Sequence, residues 1–382
     1  MSEMLSEKVQ STSSATPQVL KDQKSHLQLY GHKLIYHLET LEKWLAGEQF
    51  FPLHLDIGPF GGCNHRCVHC YVEYLGHQGI SLKRDPYLKL MKDIGDCGVK
   101  SIFLAGTGEP LLNKATADAI VTARSSGVDV AMATNGAFLK PEVADKILGS
   151  MTWLRFSMLG DSKETYTKIQ SRNEDDWAKV KSNMEYAAEL RAKKGYDATL
   201  GVYMCVLPEN VGEVVSLTRR VKETGFDYII VKPPTQNPKN NFSFPRDMHL
   251  RYRDALEEAK ALQDDRFNVF VRFDLFGDEA RVADGKNVKS YDTCYGLPFI
   301  AVVDADGGLY TCTGYWRNKE YCYGNLYENS FKEIWTSQQQ KNVRNFVETS
   351  VDFNKCEPLC RQHNINKFLW QVKNPPNHHE FI

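Results

Sequence analysis

The chain has 382 residues, of which 42% are hydrophobic and 25% charged, and its formal net charge is −1. No run of about eighteen apolar residues could span a bilayer, and the near-neutral charge provides no broad basic surface for nucleic acid. We therefore expect a protein without membrane or nucleic-acid partners. Ten cysteines with no apolar signal segment near the start favour reduced thiols and a cytoplasmic location.

The amino-terminal region divides into a polar tail and a helix. Residues 1–26 are rich in Ser, Thr, Gln and Lys and cannot bury enough apolar surface to offset ordering entropy, so we expect a disordered tail. Residues 27–50 are predicted to contain an amphipathic helix, because leucines recur at helical spacing at positions 34, 38, 41 and 45.

From residue 51 onward the pattern alternates between strand and helix. Strands are predicted at 53–57, 100–105, 129–133, 153–158, 199–207 and 227–232. Six such units imply an α/β fold with parallel strands joined by right-handed crossovers, which can curl into part of a barrel. We expect this domain to span 51–285 and a smaller domain to span 286–382.

Three cysteines, Cys63, Cys67 and Cys70, follow the first predicted strand with the spacing CxxxCxxC. Three thiolates can ligate an iron-sulfur cube and leave its fourth iron open, whereas four would close it. Zinc ligation is the alternative, although no second cysteine pair follows at zinc-finger distance. A disulfide suits a small secreted chain better than this one.

This spacing resembles the signature of the radical S-adenosylmethionine (radical SAM) superfamily. His69 stands where that signature usually has an aromatic residue, and Tyr71 lies just beyond the third cysteine. The resemblance implies a partial (β/α)6 TIM-like barrel and a SAM-binding 4Fe-4S cluster on the three cysteines. It also implies cleavage of S-adenosylmethionine to a 5′-deoxyadenosyl radical that removes hydrogen from an unactivated carbon.

Further motifs follow the later strands, where a barrel of this kind gathers its chemistry. Gly106–Pro110 resembles the GGEP element, with Thr107 at the usual first glycine. The resemblance implies that these positions contact S-adenosylmethionine. The expected cofactor-binding residues are His69, Tyr71, Thr107, Gly108, Glu109, Asn135, Ser157 and Arg172. The alternative for Asn135 is an ordinary turn, that for Ser157 is a strand-end hydrogen bond, and that for Arg172 is a solvated arginine.

The carboxyl-terminal third contains five more cysteines. Cys294, Cys312, Cys356 and Cys360 resemble the ligands of the SPASM and Twitch extensions, which implies a small α+β domain with one auxiliary 4Fe-4S cluster. A full SPASM set would need seven thiols, so the shorter Twitch arrangement fits better, and Cys322 is the spare. Zinc ligation by the same four thiols is the alternative.

The arrangement of these cysteines resembles that of a Twitch dehydrogenase for an aminocyclitol antibiotic precursor. The leading hypothesis that this resemblance implies is oxidation of a secondary alcohol to a ketone in a small polar molecule, sugar-like or cyclitol-like. The auxiliary cluster would accept the electron left on the substrate. Lys232 and Arg272 are candidates for the base or for substrate binding, although ordinary salt bridges would also explain them. A flavodoxin or ferredoxin is the expected electron donor.

Three other hypotheses remain open. A radical epimerase would need a thiol as hydrogen donor, and Cys205 is the first candidate, with Cys97 and Cys322 as the others. Maturation of a ribosomal peptide is a second enzymatic possibility, for which a peptide would replace the small molecule. A metal-binding scaffold without enzymatic activity is the third, and it would form no 5′-deoxyadenosine.

Overall fold

The computed structural model describes residues 31–171, 173–235, 237, 239–240, 242, 251–273, 289–356 and 360–381. The tail expected over 1–26 and the candidate Arg172 lie outside these residues. A 3₁₀ segment, Gly31–Tyr36, precedes helix α1, Leu38–Leu45. His37 interrupts the helical geometry between them, so the helix expected within 27–50 is divided.

Ten strands form one sheet in the described part of the chain. Their order across the sheet is β10-β9-β8-β1-β2-β3-β4-β5-β6-β7. The strands are β1 His54–Ile57, β2 Ser101–Leu104, β3 Asp129–Thr134, β4 Trp153–Ser157, β5 Thr199–Cys205, β6 Tyr228–Lys232, β7 Asn268–Val271, β8 Ile300–Val303, β9 Gly308–Tyr310 and β10 Cys322–Asn325.

Helices connect these strands. After α1 they are α2 Arg84–Asp96, α3 Thr116–Ser125, α4 Pro141–Ile147, α5 Lys163–Ile169, α6 Asp175–Lys194, α7 Val214–Glu223, α8 Arg253–Ala261, α9 Phe331–Thr336, α10 Gln338–Ser350 and α11 His363–Lys373. Local sequence explains individual starts. Ser330 and Glu333 form a reciprocal capping box that satisfies backbone donors at the start of α9. No described helix has the length and apolar character needed to cross a membrane.

Strands β1 to β7 are parallel and lie in chain order, which confirms the predicted α/β class and the partial-barrel architecture. Each of the six predicted strands agrees with its observed counterpart to within two residues. The seventh parallel strand, β7, was not predicted. Its pairing with β6 extends the parallel sheet by one strand.

Side chains alternate along these strands between two environments. One set, which includes Leu55, Ile102 and Leu154, is fully buried in the main hydrophobic core. The other set faces the inside of the barrel and carries most of the polar and aromatic groups. We call this second surface the lumen; it includes His54, Asp56, Phe103, Trp153, Arg155, Ser157, Tyr203, Cys205, Tyr228 and Lys232.

The carboxyl-terminal segment continues the same sheet. Strand β8 pairs in parallel with β1, and β9 and β10 then follow in antiparallel order. Gly307 takes a positive φ of 82° in the turn between β8 and β9, which favours glycine there. Helix α11 and the amino-terminal segment pack over this region through Leu34, Trp44 and Leu369. The domain division at residue 285 stays a prediction.

Candidate active site

The cysteine loop begins directly after β1 and is fastened to the segment that ends α5. The backbone N–H of Arg66 donates to the carbonyl of Gln170 at 3.1 Å, and that of Val68 to the carbonyl of Ile169 at 3.0 Å. The buried Gln170 side chain also donates to the Ser157 carbonyl at 2.6 Å. The loop is thereby attached to the carboxyl end of β4.

Gly108 is required by the close approach of the cysteine loop. A Cβ atom there would lie 2.0 Å from the Gly62 carbonyl oxygen and 2.5 Å from that of Phe60. The neighbouring Glu109 N–H donates to the same Gly62 oxygen at 2.9 Å. The Gly106–Pro110 motif and the cysteine loop are therefore in direct backbone contact.

The Glu109 carboxylate is buried and connects the ends of β2 and β3. Its two oxygens accept hydrogen bonds from the Thr134 hydroxyl at 2.7 Å, the Asn135 N–H at 2.8 Å and the Leu111 N–H at 3.1 Å. Burial raises the pKa of Glu109, although these three bonds oppose the shift. The carboxylate is thus held in place by its neighbours, at the position predicted to contact S-adenosylmethionine.

Asn135 joins the third strand end to the cysteine loop. Its Nδ2 donates to Asn64 Oδ1 at 2.7 Å and lies 3.7 Å from Cys63 Sγ. Its Oδ1 accepts from the Ala137 N–H at 3.0 Å, which fixes the rotamer. The three predicted motifs after β1, β2 and β3 therefore meet at one end of the lumen, while the ligand roles of their residues stay predictions.

Thr107 has a partner that the sequence did not reveal. Its hydroxyl donates to Asp304 Oδ1 at 2.6 Å, and Asp304, fully buried at the end of β8, also pairs with Arg317 Nε at 2.6 Å. The carboxyl-terminal segment therefore orients the predicted cofactor loop. Nothing in the spacing of residues 107 and 304 could have indicated this contact.

His65 and Asp176 are a second pair that the sequence analysis missed. The His65 ring is buried inside the cysteine loop, 3.1 Å from Asp176 Oδ2 and 3.5 Å from the Tyr166 hydroxyl. Burial lowers the pKa of His65 to about 4, which keeps the ring neutral at pH 7. This pair anchors the loop to the start of α6.

The remaining expected cofactor residues lie around this end of the barrel. His69 is half-buried, and burial together with Lys232 lowers its pKa to about 4. The Tyr71 carbonyl accepts a hydrogen bond from Asn237 Nδ2 at 3.0 Å, and its side chain packs beside Val72 and Trp316. Ser157 is half-buried at the end of β4.

Two of the three catalytic candidates lie together in the lumen. Cys205 and Lys232 occupy paired positions on β5 and β6, and Lys232 Nζ lies 5.2 Å from the centre of the Tyr203 ring. Cys205 is fully buried and packs in the same cluster as Cys67, and burial raises its pKa to about 12. Arg272 follows β7, where its N–H donates to the Val231 carbonyl at 2.9 Å.

The four carboxyl-terminal thiols share one environment. Burial raises the pKa of Cys294 above its usual range, and Cys312, Cys360 and Cys356 add to the shift from nearby. The Cys294 thiol donates to Gln362 Oε1 at 3.0 Å and accepts from Asn366 Nδ2 at 3.5 Å. Cys322 lies elsewhere, where its thiol donates to the Gly324 carbonyl and its side chain packs beside Tyr310.

The thiol positions can be compared with the spacing that a single zinc ion requires. Zinc with bonds of about 2.3 Å to sulfur holds tetrahedral thiolates about 3.8 Å apart. Within the described ranges, the three-ligand group whose atoms all lie within 4.8 Å of one another is Cys70, Glu73 and His77. Neither the three loop cysteines nor any three of the four carboxyl-terminal ones form such a group, so neither set has the close spacing of a single zinc site in this structure.

Comparison with known proteins agrees with this geometry. Residues 57–221 match the family model of the Radical SAM superfamily, and residues 294–362 match that of the SPASM iron-sulfur cluster-binding domain. S-adenosylmethionine, a 4Fe-4S cluster and an auxiliary iron-sulfur cluster, expected from the sequence, are thus confirmed as cofactors at the level of these families. The ligand assigned to each residue stays a prediction.

Individual relatives cover much of the chain at low identity. A tungsten-containing aldehyde ferredoxin oxidoreductase cofactor-modifying protein of Pyrococcus furiosus is 23% identical over 72% of this chain and 79% of its own length. The antilisterial bacteriocin subtilosin biosynthesis protein AlbA of Bacillus subtilis is 21% identical over 75% of this chain, which spans 60% of that protein.

Solved structures share the fold. Streptococcus suis SuiB, in its crystal structure bound to precursor peptide SuiA, superposes with a TM-score of 0.62 at 13% identity, over 90% of this chain and 77% of that one. The chain is therefore a radical SAM protein with a carboxyl-terminal SPASM domain.

Proposed function

We propose that this radical SAM enzyme modifies a peptide by removing a hydrogen atom from an unactivated carbon, and that the modification is an oxidation. A bacteriocin biosynthesis protein and a structure bound to a precursor peptide among the relatives support a peptide. The sequence analysis expected a sugar-like or cyclitol-like molecule, and these two relatives are the reason that the proposal takes a peptide instead. The peptide therefore takes precedence over a small molecule.

The observation that carries this proposal is the convergence of three loops at one end of the lumen. The cysteine loop, Glu109 and Asn135 contact one another there. Cys205, Tyr203 and Cys67 belong to one packed cluster beside them. A reactive species generated at this end would therefore be held close to the side chains of the lumen.

The residues present fit the expected cofactors. Cys63, Cys67 and Cys70 would hold a cluster with one open iron, and Glu109 would accept a hydrogen bond from the amino group of S-adenosylmethionine. When bound, the cluster and S-adenosylmethionine together would supply the radical that abstracts hydrogen. The chain itself contributes the enclosure, since Leu159 and Leu207 are buried against the cysteine loop and exclude water.

Oxidation of an alcohol to a carbonyl removes one hydrogen atom, one proton and one electron from the substrate. A base takes the proton, and Lys232, which lies in the lumen next to Tyr203, stays a candidate for that base or for substrate binding. Cys294, Cys312, Cys356 and Cys360 would hold the auxiliary cluster, whose chemistry is electron transfer. Arg272 stays a candidate for substrate binding, and a flavodoxin or ferredoxin stays the proposed donor.

The test is anaerobic incubation of the iron-reconstituted protein with S-adenosylmethionine, dithionite and a pool of synthetic peptides. We expect 5′-deoxyadenosine, together with peptides that have lost two hydrogen atoms by mass spectrometry. Cys63→Ala, Cys67→Ala and Cys70→Ala should each abolish 5′-deoxyadenosine, whereas Cys97→Ala, at the end of α2, should not. Absence of 5′-deoxyadenosine from the wild-type protein would favour a metal-binding scaffold.

Radical epimerisation is a second candidate, and the position of Cys205 favours it. This thiol lies in the lumen beside Tyr203 and Cys67, where it could return hydrogen to a substrate radical. In deuterium oxide an epimerase would place solvent deuterium on the product carbon, and Cys205→Ala would stop turnover. A product that carries no deuterium and a Cys205→Ala variant that still turns over would support the oxidation instead.

A further inference from the structure

Arg155 projects into the lumen from the middle of β4. Its strand neighbours Leu154 and Phe156 point the other way and are fully buried in the main core. The register places Arg155 opposite Gly201 on β5, the residue over which the Tyr228 ring packs. An arginine at an inward position of a central strand is unusual, because this side chain is charged at every physiological pH.

The Arg155 guanidinium is surrounded by aromatic rings. Its Cζ lies 5.3 Å from the centre of the Trp153 ring, 5.7 Å from that of Phe103 and 5.8 Å from that of Tyr203. The faces of aromatic rings attract a cation, but the rings provide no nitrogen or oxygen acceptor for the N–H groups of the guanidinium. The Nε atom is shielded from solvent and has no hydrogen-bond partner.

Arg155 also lacks a carboxylate partner within the part of the chain that the structure describes, where the ion pairs of the lumen involve other residues. Arg361 provides the contrast. Its guanidinium lies 5.5 Å from the same Phe103 ring, yet it pairs with Asp56 and donates to His54 Nε2 at 2.7 Å. One lumen arginine is therefore matched by a carboxylate and the other is not.

Two cationic side chains share this part of the lumen. Lys232 lies over the same Tyr203 ring that Arg155 contacts, so cations approach that ring from β4 and β6. Asp56 is engaged by Arg361, and burial lowers the pKa of His54, which keeps it neutral and adds no charge. An anion entering the lumen would meet donors that are already positioned.

We propose that Arg155 binds a carboxylate of the substrate inside the barrel, with Lys232 as a second positive charge nearby. A guanidinium fork matches a carboxylate in a bidentate geometry, and the three rings fix the orientation of that fork. This inference rests on the proposed function, because it assigns the peptide an acidic group near the modified residue. The carboxylate belongs either to an Asp or Glu side chain or to the peptide's carboxyl terminus.

Three small probes separate these sources. N-acetyl-glutamate amide presents a side-chain carboxylate, N-acetyl-alanine presents a terminal carboxylate, and N-acetyl-glutamine amide is a neutral isostere of the first. We expect the reconstituted wild-type protein, titrated calorimetrically, to bind at least one carboxylate probe about tenfold or more tightly than the neutral one. The carboxylate probe that binds more tightly identifies the source.

Arg155→Gln should remove this discrimination and Arg155→Lys should retain part of it, because lysine keeps the charge but not the fork. Arg124→Gln, which changes an exposed arginine paired with Asp129, should behave as wild type. Equal binding of the three probes by the wild-type protein, or full discrimination by Arg155→Gln, would overturn the proposal. Formation of 5′-deoxyadenosine without substrate is measured in parallel for each variant. It shows whether the protein is folded and cleaves S-adenosylmethionine, independently of whether it binds a carboxylate.

Discussion

His54 shows how one buried ring organises the lumen. Its Nδ1 lies 2.7 Å from the Ser101 hydroxyl, and its Nε2 accepts from Arg361, so the neutral ring donates through Nδ1. Burial lowers the pKa of His54, and the Arg361 charge lowers it further, against the opposing pull of Asp56. Protonation would break the acceptor contact and place two cations side by side.

The first prediction concerns the pH dependence of stability. The folded pKa of His54 lies below its usual value of 6.5, so the unfolded chain binds more protons in that interval. Stability should therefore be fully present above about pH 6.5 and fall as the pH falls toward the folded pKa. Urea unfolding measured from pH 7.5 to 5 should show a flatter dependence for His54→Gln. His379→Gln, at an exposed position, should leave the dependence unchanged.

A second prediction distinguishes the spare thiol from the auxiliary ligands. Cys312→Ser should lower the iron content of the reconstituted protein by up to about four per chain, because one cluster loses a ligand. Cys322→Ser should leave the iron content unchanged, since Cys322 lies apart from the other four thiols. Iron and sulfide analysis measures both, and loss of iron in Cys322→Ser would make that residue a ligand.

The lumen arginine illustrates what a single sequence conceals at this scale. Arg155 is a charged residue between two apolar ones in strand 153–157. The alternation along that strand therefore predicts that Arg155 faces inward. Its three aromatic neighbours come from β2, β4 and β5, and no local pattern relates them. Cys63, Cys67 and Cys70, in contrast, could be recognised from the sequence, because all three lie within one loop.

At the scale of elements, the strand ends are held together by loops that touch through backbone atoms. The contact between Gly108 and the carbonyl oxygens of Phe60 and Gly62 leaves no room for a side chain. The Glu109 carboxylate also accepts a hydrogen bond from the Asn135 N–H, which connects these two loops to the end of β3. The geometry of the cysteine loop therefore depends on the loop after β2 as well as on its own sequence.

The third prediction tests that dependence with Gly108→Ala. The added methyl group would force the cysteine loop away, which should destabilise the protein by about 1–3 kcal/mol and lower the iron content of the first cluster. The control is Gly212→Ala, because a Cβ there meets nothing within 4 Å. Chemical denaturation and iron analysis provide the measurements. Normal iron content in Gly108→Ala would contradict the close contact.

Most elements were predictable because their signals are local. Buried strands such as β4 carry period-two alternation, and the parallel arrangement followed from the helices between them. Strand β7 was missed, because its four residues, Asn268–Val271, are too short a run to establish period-two alternation. The break at His37 was missed as well, since leucine spacing continues across it.

At the scale of the whole molecule, the two matched domains share one sheet and a buried hydrogen bond. Asp304 on the carboxyl-terminal side accepts from Thr107 and pairs with Arg317, and its own side chain is fully buried. Burial raises the pKa of Asp304, against the opposing effect of Arg317. The predicted cofactor loop and the SPASM domain are thus connected directly.

The fourth prediction removes that connection. Asp304→Ala leaves the mostly buried Arg317 without its partner, which should lower the free energy of unfolding by about 3–5 kcal/mol. It should also weaken S-adenosylmethionine binding, because Thr107 loses its acceptor. Asp118→Ala, which removes surface pairs with Arg84 and Lys146, should lower stability by about 1 kcal/mol or less. Equal effects of the two changes would argue against the coupling.

The pairing of β8 with β1 has a consequence for how the chain is made. Strand β1 ends at Ile57, yet the partner on one of its sides begins only at Ile300. Throughout synthesis of the intervening residues, that edge of β1 presents unpaired backbone groups that could template pairing with another chain. The nascent barrel is therefore open to aggregation until the SPASM segment emerges and covers it.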